Sequence, residues 1–78
     1  MAVEVLSPSD RTGDVDEKIQ AWLTAGARLV WVVDPQLGNV TVYRSATDIQ
    51  VKTRGEQLDG ENVVPRFSCA VAEIFASA

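Results

Sequence analysis

A chain of 78 residues, 46% hydrophobic and 23% charged, has room for one small domain and the composition of a folded protein, not of a disordered or collagen-like one. Its formal charge of −4, from 11 acidic and 7 basic residues, includes no basic cluster, so composition alone argues against long-range attraction to a phosphate backbone. With no histidine and a single cysteine, Cys69, an internal disulfide, zinc chemistry and the usual Ser-His or Cys-His pairs are excluded, which leaves carboxylates, Lys18, Lys52 and hydroxyls and makes any catalysis dependent on a metal.

Residues Ala2 to Leu6 alternate as a short strand, with Val3 and Val5 on one face and Ala2, Glu4 and Leu6 on the other, until Pro8 ends it. Asp14 and Glu17 have the spacing of a capping box, and Val15, Ile19, Trp22 and Leu23 recur at helical spacing up to Gly26, which predicts one amphipathic helix. Leu29 to Val33 is a continuous apolar run halted by Asp34-Pro35, the pattern of a central strand covered on both faces. "QLGN" is a turn signal, and Val40 to Arg44 alternates, so these two runs form an antiparallel hairpin. After Ser45 to Thr47, "DIQVKT" adds another strand, and Gly55 and Gly60 mark further turns. Val63 and Val64 read as a brief strand before Pro65, and "AVAEIFA" reads as a short terminal helix carrying Val71, Ile74 and Phe75 inward.

Strand, helix and strand in succession predict a crossover between parallel neighbours, followed by an antiparallel extension. The expected architecture is therefore α/β, a mixed sheet with one crossover helix and a short C-terminal helix, in a single domain over residues 1–78. No apolar run approaches the roughly 20 residues of a membrane span, and the N-terminus has no basic segment ahead of a long apolar core, so the expected location is cytoplasmic, with no membrane partner.

Glu4 raises the first functional question, because a carboxylate among Val3, Val5 and Leu6 either points to water or is held by a group that rewards its charge. Lys18 lies beside Trp22 at the border of the helix's apolar stripe, and a helix after a strand packs back over it, so Lys18 and Glu4 could converge. The alternative places Glu4 on the solvent face of an edge strand with Lys18 snorkelling. Asp34 is either a ligand at a strand end or the start of a turn, and Asp10, Asp14 and Asp16 suit a solvated helix entrance better than a calcium loop. Ser7 and Ser9 satisfy local backbone groups, Cys69 is a small core residue, and Trp22, Trp31 and Tyr43 are packing anchors.

"EVLSPS" at Glu4 to Ser9, the spaced lysine Lys18, "WVVDP" at Trp31 to Pro35, the hairpin after it and "VAEIF" at Val71 to Phe75 together resemble the Uma-two family of restriction endonucleases, a bacterial branch of the PD-(D/E)XK superfamily. The resemblance spans essentially the whole chain and corresponds to the family's C-terminal half. It implies a Mg²⁺-dependent DNA endonuclease, with Glu4 as catalytic residue and metal ligand and Lys18 as the cation that positions the attacking water. The slot two residues after Glu4, where the superfamily usually has its lysine, holds Leu6, and Lys18 matches a position to which this branch has moved it. The family's Pro-Asp pair falls just before Met1, so another chain or a longer native form is expected to provide the missing Asp, and the apolar faces left uncovered by the absent upstream half predict a homo-oligomer. The resemblance also suggests the Val5 carbonyl as a further ligand. A competing expectation is a noncatalytic remnant that self-associates or binds protein through its exposed first strand.

Overall fold

The computed structural model describes residues 1–76. Strand β2 (Val30–Asp34) forms the middle of a sheet because its apolar run can bury both faces at once, and Val30 to Val33 are all buried. Strand β1 (Ala2–Val5) pairs parallel with it, with Glu4 beside Val32. On its other side β3 (Asn39–Tyr43) pairs antiparallel with β2, and β4 (Ile49–Lys52) pairs antiparallel with β3. The order β1-β2-β3-β4 realises the expected mixed sheet and leaves β1 at one edge.

Side-chain alternation divides the core into two layers. On one face, helix α1 (Thr12–Thr24) buries Ile19 against Ala2, Val30 and Val32, with Val15, Leu23 and Tyr43 at the margin. On the other, Leu29, Trp31, Val33, Val40 and Val42 pack against Leu58 and Val71. Those two residues come from a small second sheet, β5 (Gln57–Asp59) with β6 (Ser68–Ala70), and from helix α2 (Val71–Ala76). Each fully buried Leu, Ile or Val of this set contributes about 1.5–3 kcal/mol.

The joints follow from local chemistry. Gly26 adopts φ +100 after α1, and its N–H donates to the Leu23 carbonyl while that of Ala27 reaches Trp22, which closes the helix. In the β2–β3 turn the Asp34 carboxylate accepts the N–H groups of Gln36 and Leu37 at 3.0 and 3.1 Å, and Gly38 supplies the positive φ. Arg44 then clamps the second sheet's connection onto the hairpin, its Nε lying 2.8 Å from Glu61 Oε2.

Two expectations are corrected. The helix begins at Thr12, with Arg11 as an N-cap that makes no side-chain bond, so Asp14 lies inside the first turn and favours the helix through its dipole instead of capping it. Val63 and Val64 form no strand: their N–H groups donate to the Gly60 carbonyl at 3.1 and 2.8 Å in a tight turn. That turn needs Gly60, because a Cβ there would run into the Val64 backbone. The strands it separates are β5 and β6.

Candidate active site

Glu4 sits on the helix-covered face of β1, in line with Ala2, because the strand's alternation puts Val3 and Val5 on the opposite side. Above it, α1 presents Lys18 and, one turn later, Trp22, positions four apart that share a helix face. Glu4, Lys18, Ala21, Trp22 and Ala25 line one cavity of about 430 Å³. The Trp22 indole Nε1–H donates to Glu4 Oε1 at 3.0 Å. Glu4 is therefore half-buried and held, and the solvent-face alternative for it is set aside. No direct ion pair joins Glu4 to Lys18 among the described residues; the two line the same cavity.

Trp22 is the residue whose role sequence reasoning missed. It was expected as a packing anchor, yet it is 43% exposed and restrains the carboxylate. The available signal was its place four residues after Lys18 on the stripe border, combined with an indole N–H that needs a partner. Trp31, by contrast, is buried as expected.

A second cavity, of about 330 Å³, opens beyond the C-terminal ends of β1 and β2 and is lined by Ser7, Asp10, Asp16, Asp34, Thr41 and Tyr43 among others. Two of its carboxylates serve the backbone: Asp10 Oδ2 accepts the Ser7 N–H at 2.8 Å, and Asp34 holds the hairpin turn. Asp34 thus behaves as the turn residue of its two readings. Ser7 and Ser9 share a hydroxyl contact of 3.1 Å, and Cys69 is half-buried on the other layer.

The divalent ion implied for this kind of site can be tested against the donor set. Among the described residues no group of three or more His, Cys, Asp and Glu converges as a metal centre. At the Glu4 cavity one carboxylate is available, and one of its oxygens is engaged by Trp22. Mg²⁺ requires near-octahedral oxygen ligation, and the donors of one chain do not supply it.

On the face opposite α1 lies an apolar groove of about 450 Å³, lined by Val3, Val5, Trp31, Phe67, Ile74 and Phe75 among others. Val3 and Val5 are 50% and 63% exposed, and among the described residues no strand pairs with the outer side of β1.

A parallel strand pair with its crossover helix, extended by antiparallel strands, defines a mixed α/β fold. The family model described as "Putative restriction endonuclease", Uma2, matches residues 1–72, and the chain belongs to this family. Among solved structures it is similar to a crystal structure from Anabaena variabilis ATCC 29413, described as "a putative nuclease belonging to DUF820", with a TM-score of 0.82 and 23% identity. The match covers 95% of this chain and 42% of that one, so the chain spans less than half of that protein's length. No curated protein matches the chain. No helix among the described residues is long and apolar enough to cross a membrane.

Proposed function

We propose that this chain carries part of the catalytic centre of a Mg²⁺-dependent DNA endonuclease of the PD-(D/E)XK type, acting in the cytoplasm. The observation that supports the reading is the meeting of Glu4 and Lys18 at one cavity, in a chain that belongs to the family described as "Putative restriction endonuclease". In this reading Glu4, together with ligands from outside this chain, would hold the cation, and Lys18 would hold the attacking water or a phosphoryl oxygen of the substrate. A bound divalent ion would supply polarisation of the phosphodiester.

The single-carboxylate donor set makes the isolated chain a weak nuclease, because too few oxygens converge to hold the ion tightly. Supercoiled plasmid incubated with the purified chain and Mg²⁺ tests the reading: slow nicking is expected, abolished in Glu4→Ala and strongly reduced in Lys18→Ala. Nicking that persists unchanged in Glu4→Ala, or none at any protein and Mg²⁺ concentration, would refute it.

A further inference from the structure

The segment from Thr47 to Thr53 reads "TDIQVKT" and is self-complementary about Gln50. Thr47 mirrors Thr53, Asp48 mirrors Lys52 with opposite charge, and Ile49 mirrors Val51. The segment contains β4, the edge of the sheet opposite β1. Asp48 to Val51 are exposed, and among the described residues no strand pairs with the outer side of β4.

The ladder with β3 decides which backbone groups of this edge are spare. The Arg44 N–H donates to the Asp48 carbonyl at 2.9 Å, and the same register sets Val42 opposite Gln50 and Val40 opposite Lys52. Alternation therefore turns the backbone groups of Asp48, Gln50 and Lys52 toward β3 and those of Ile49 and Val51 outward. At the two ends, the Thr47 and Thr53 N–H groups are already bonded, to Ser45 Oγ at 3.2 Å and to Glu56 Oε1 at 3.0 Å. Ile49 and Val51, whose backbone groups are outward, also carry apolar side chains that are 48% and 50% exposed.

We infer that β4 pairs antiparallel with β4 of a second copy about a two-fold axis through Gln50. In this register Ile49 exchanges backbone bonds with the second copy's Val51, and Val51 with its Ile49, which uses every outward group of both residues. Ile49 and Val51 of the two copies then form one apolar patch on the face that also carries Thr41 and Tyr43. Asp48 stands opposite the second copy's Lys52, and Lys52 opposite its Asp48, in pairs without mutual backbone bonds, the kind with Cα atoms about 4.5 Å apart and side chains closest together. Within one chain Asp48 lies 3.6 Å from Arg44 and Lys52 lies 3.8 Å from Glu56, so the cross-pairs join these into a row of alternating charge. A slide of two residues either way sets Lys52 against Gln50 or Ala46, so charge fixes the register. Each copy touches the other through the same residues, the condition for a closed two-fold pair. An edge of five residues is roughly 17 Å long, which puts the contact among weak, transient ones, below about 1,200 Å² in total. The pair is therefore concentration-dependent, and its specificity comes from the symmetry of the strand. Glu4 and Lys18 take no part in it.

Sedimentation equilibrium of the whole chain, up to about 1 mM so that weak association registers, tests this. The wild type is expected to move from 8.4 kDa toward twice that mass as concentration rises. Asp48→Lys and Lys52→Asp each set like charges opposite one another in both cross-pairs, and each alone is expected to associate about tenfold or more weakly. Their equimolar mixture restores both opposite-charge pairs and is expected to recover the dimer. Val51→Pro deletes an outward N–H and leaves the β3–β4 ladder intact, and Gln50→Glu keeps the contact with Arg44 while placing two carboxylates face to face across the axis; both are expected to stay monomeric, with circular dichroism confirming the fold. A wild type that is monomeric throughout, a mixture no heavier than its two components, or a folded Val51→Pro or Gln50→Glu protein that dimerises as the wild type does would overturn the inference.

Discussion

Trp31→Phe sets two terms of similar size against each other. Trp31 is 4% exposed, and its indole N–H is buried with no hydrogen-bond partner among the described residues. An unmet buried donor costs about 1–3 kcal/mol, and phenylalanine removes it. The substitution also deletes two ring carbons, a loss of about 1.6 kcal/mol at roughly 0.8 kcal/mol for each carbon group. The tilted contact with Phe67, centroids 5.7 Å apart at 42°, remains an aromatic pair. The net change is therefore expected to lie within about 1.5 kcal/mol of zero, where truncation of a buried tryptophan to alanine costs about 3–5 kcal/mol. Urea unfolding followed by far-ultraviolet circular dichroism measures it, with an unchanged m-value showing that the midpoint shift is a stability change. A loss above about 3 kcal/mol, as large as a full truncation, would refute the reasoning and mean that the N–H is satisfied in solution.

Leu58 is 1% exposed and is the buried apolar residue that β5 gives to the main core, so Leu58→Ala is expected to cost about 2–5 kcal/mol in the same urea assay; a change below about 1 kcal/mol would contradict its role. The Glu56 carboxyl is held below its ordinary value of 4.5, first by the Thr53 backbone N–H, then by the Thr53 hydroxyl, with Lys52 adding to both. A depressed folded value means the contribution is complete above pH 4.5 and is lost as pH falls through the lower folded value. Glu56→Gln should flatten the acid limb of a stability–pH curve in that window, and superimposable acid limbs would count against it. Burial, followed by the Glu73 carboxylate, pushes the Cys69 thiol up, so iodoacetamide should alkylate the folded chain more slowly than the chain in urea, and equal rates would be inconsistent with a half-buried thiol.

Much of the fold was legible because its signals are periodic and long. The apolar run at Leu29 to Val33 suited a doubly covered strand, and alternation in Ala2 to Leu6 put Glu4 on the face opposite Val3 and Val5, which proves to be the one α1 covers. β5 and β6 were not legible: three residues each, with Leu58 the single fully buried side chain of the pair, carry no period. Val63 and Val64 misled because β-branched residues also suit the corner that Gly60 makes possible. At the site, helix angle and crossover topology left the approach of Lys18 to Glu4 as one of two readings, and the family resemblance weighted it. The hydrogen bond from Trp22 did not, because it depends on how far α1 slides along the sheet, a tertiary quantity that spacing does not encode.

The parallel pairing of β1 also has a kinetic side. β2 and β3 are joined by a tight turn and can zip together as a local hairpin, whereas β1 reaches β2 only after the whole of α1 has been laid across the gap, a closure that costs more chain entropy and comes later. As an edge strand, like β4, β1 should also fray early, so its amide protons are expected to exchange through small local openings while those of Trp31 to Val33 await global unfolding. The acid and the lysine thus sit on elements of unequal persistence, and anything that clamps the first strand also lengthens the time for which the two remain face to face.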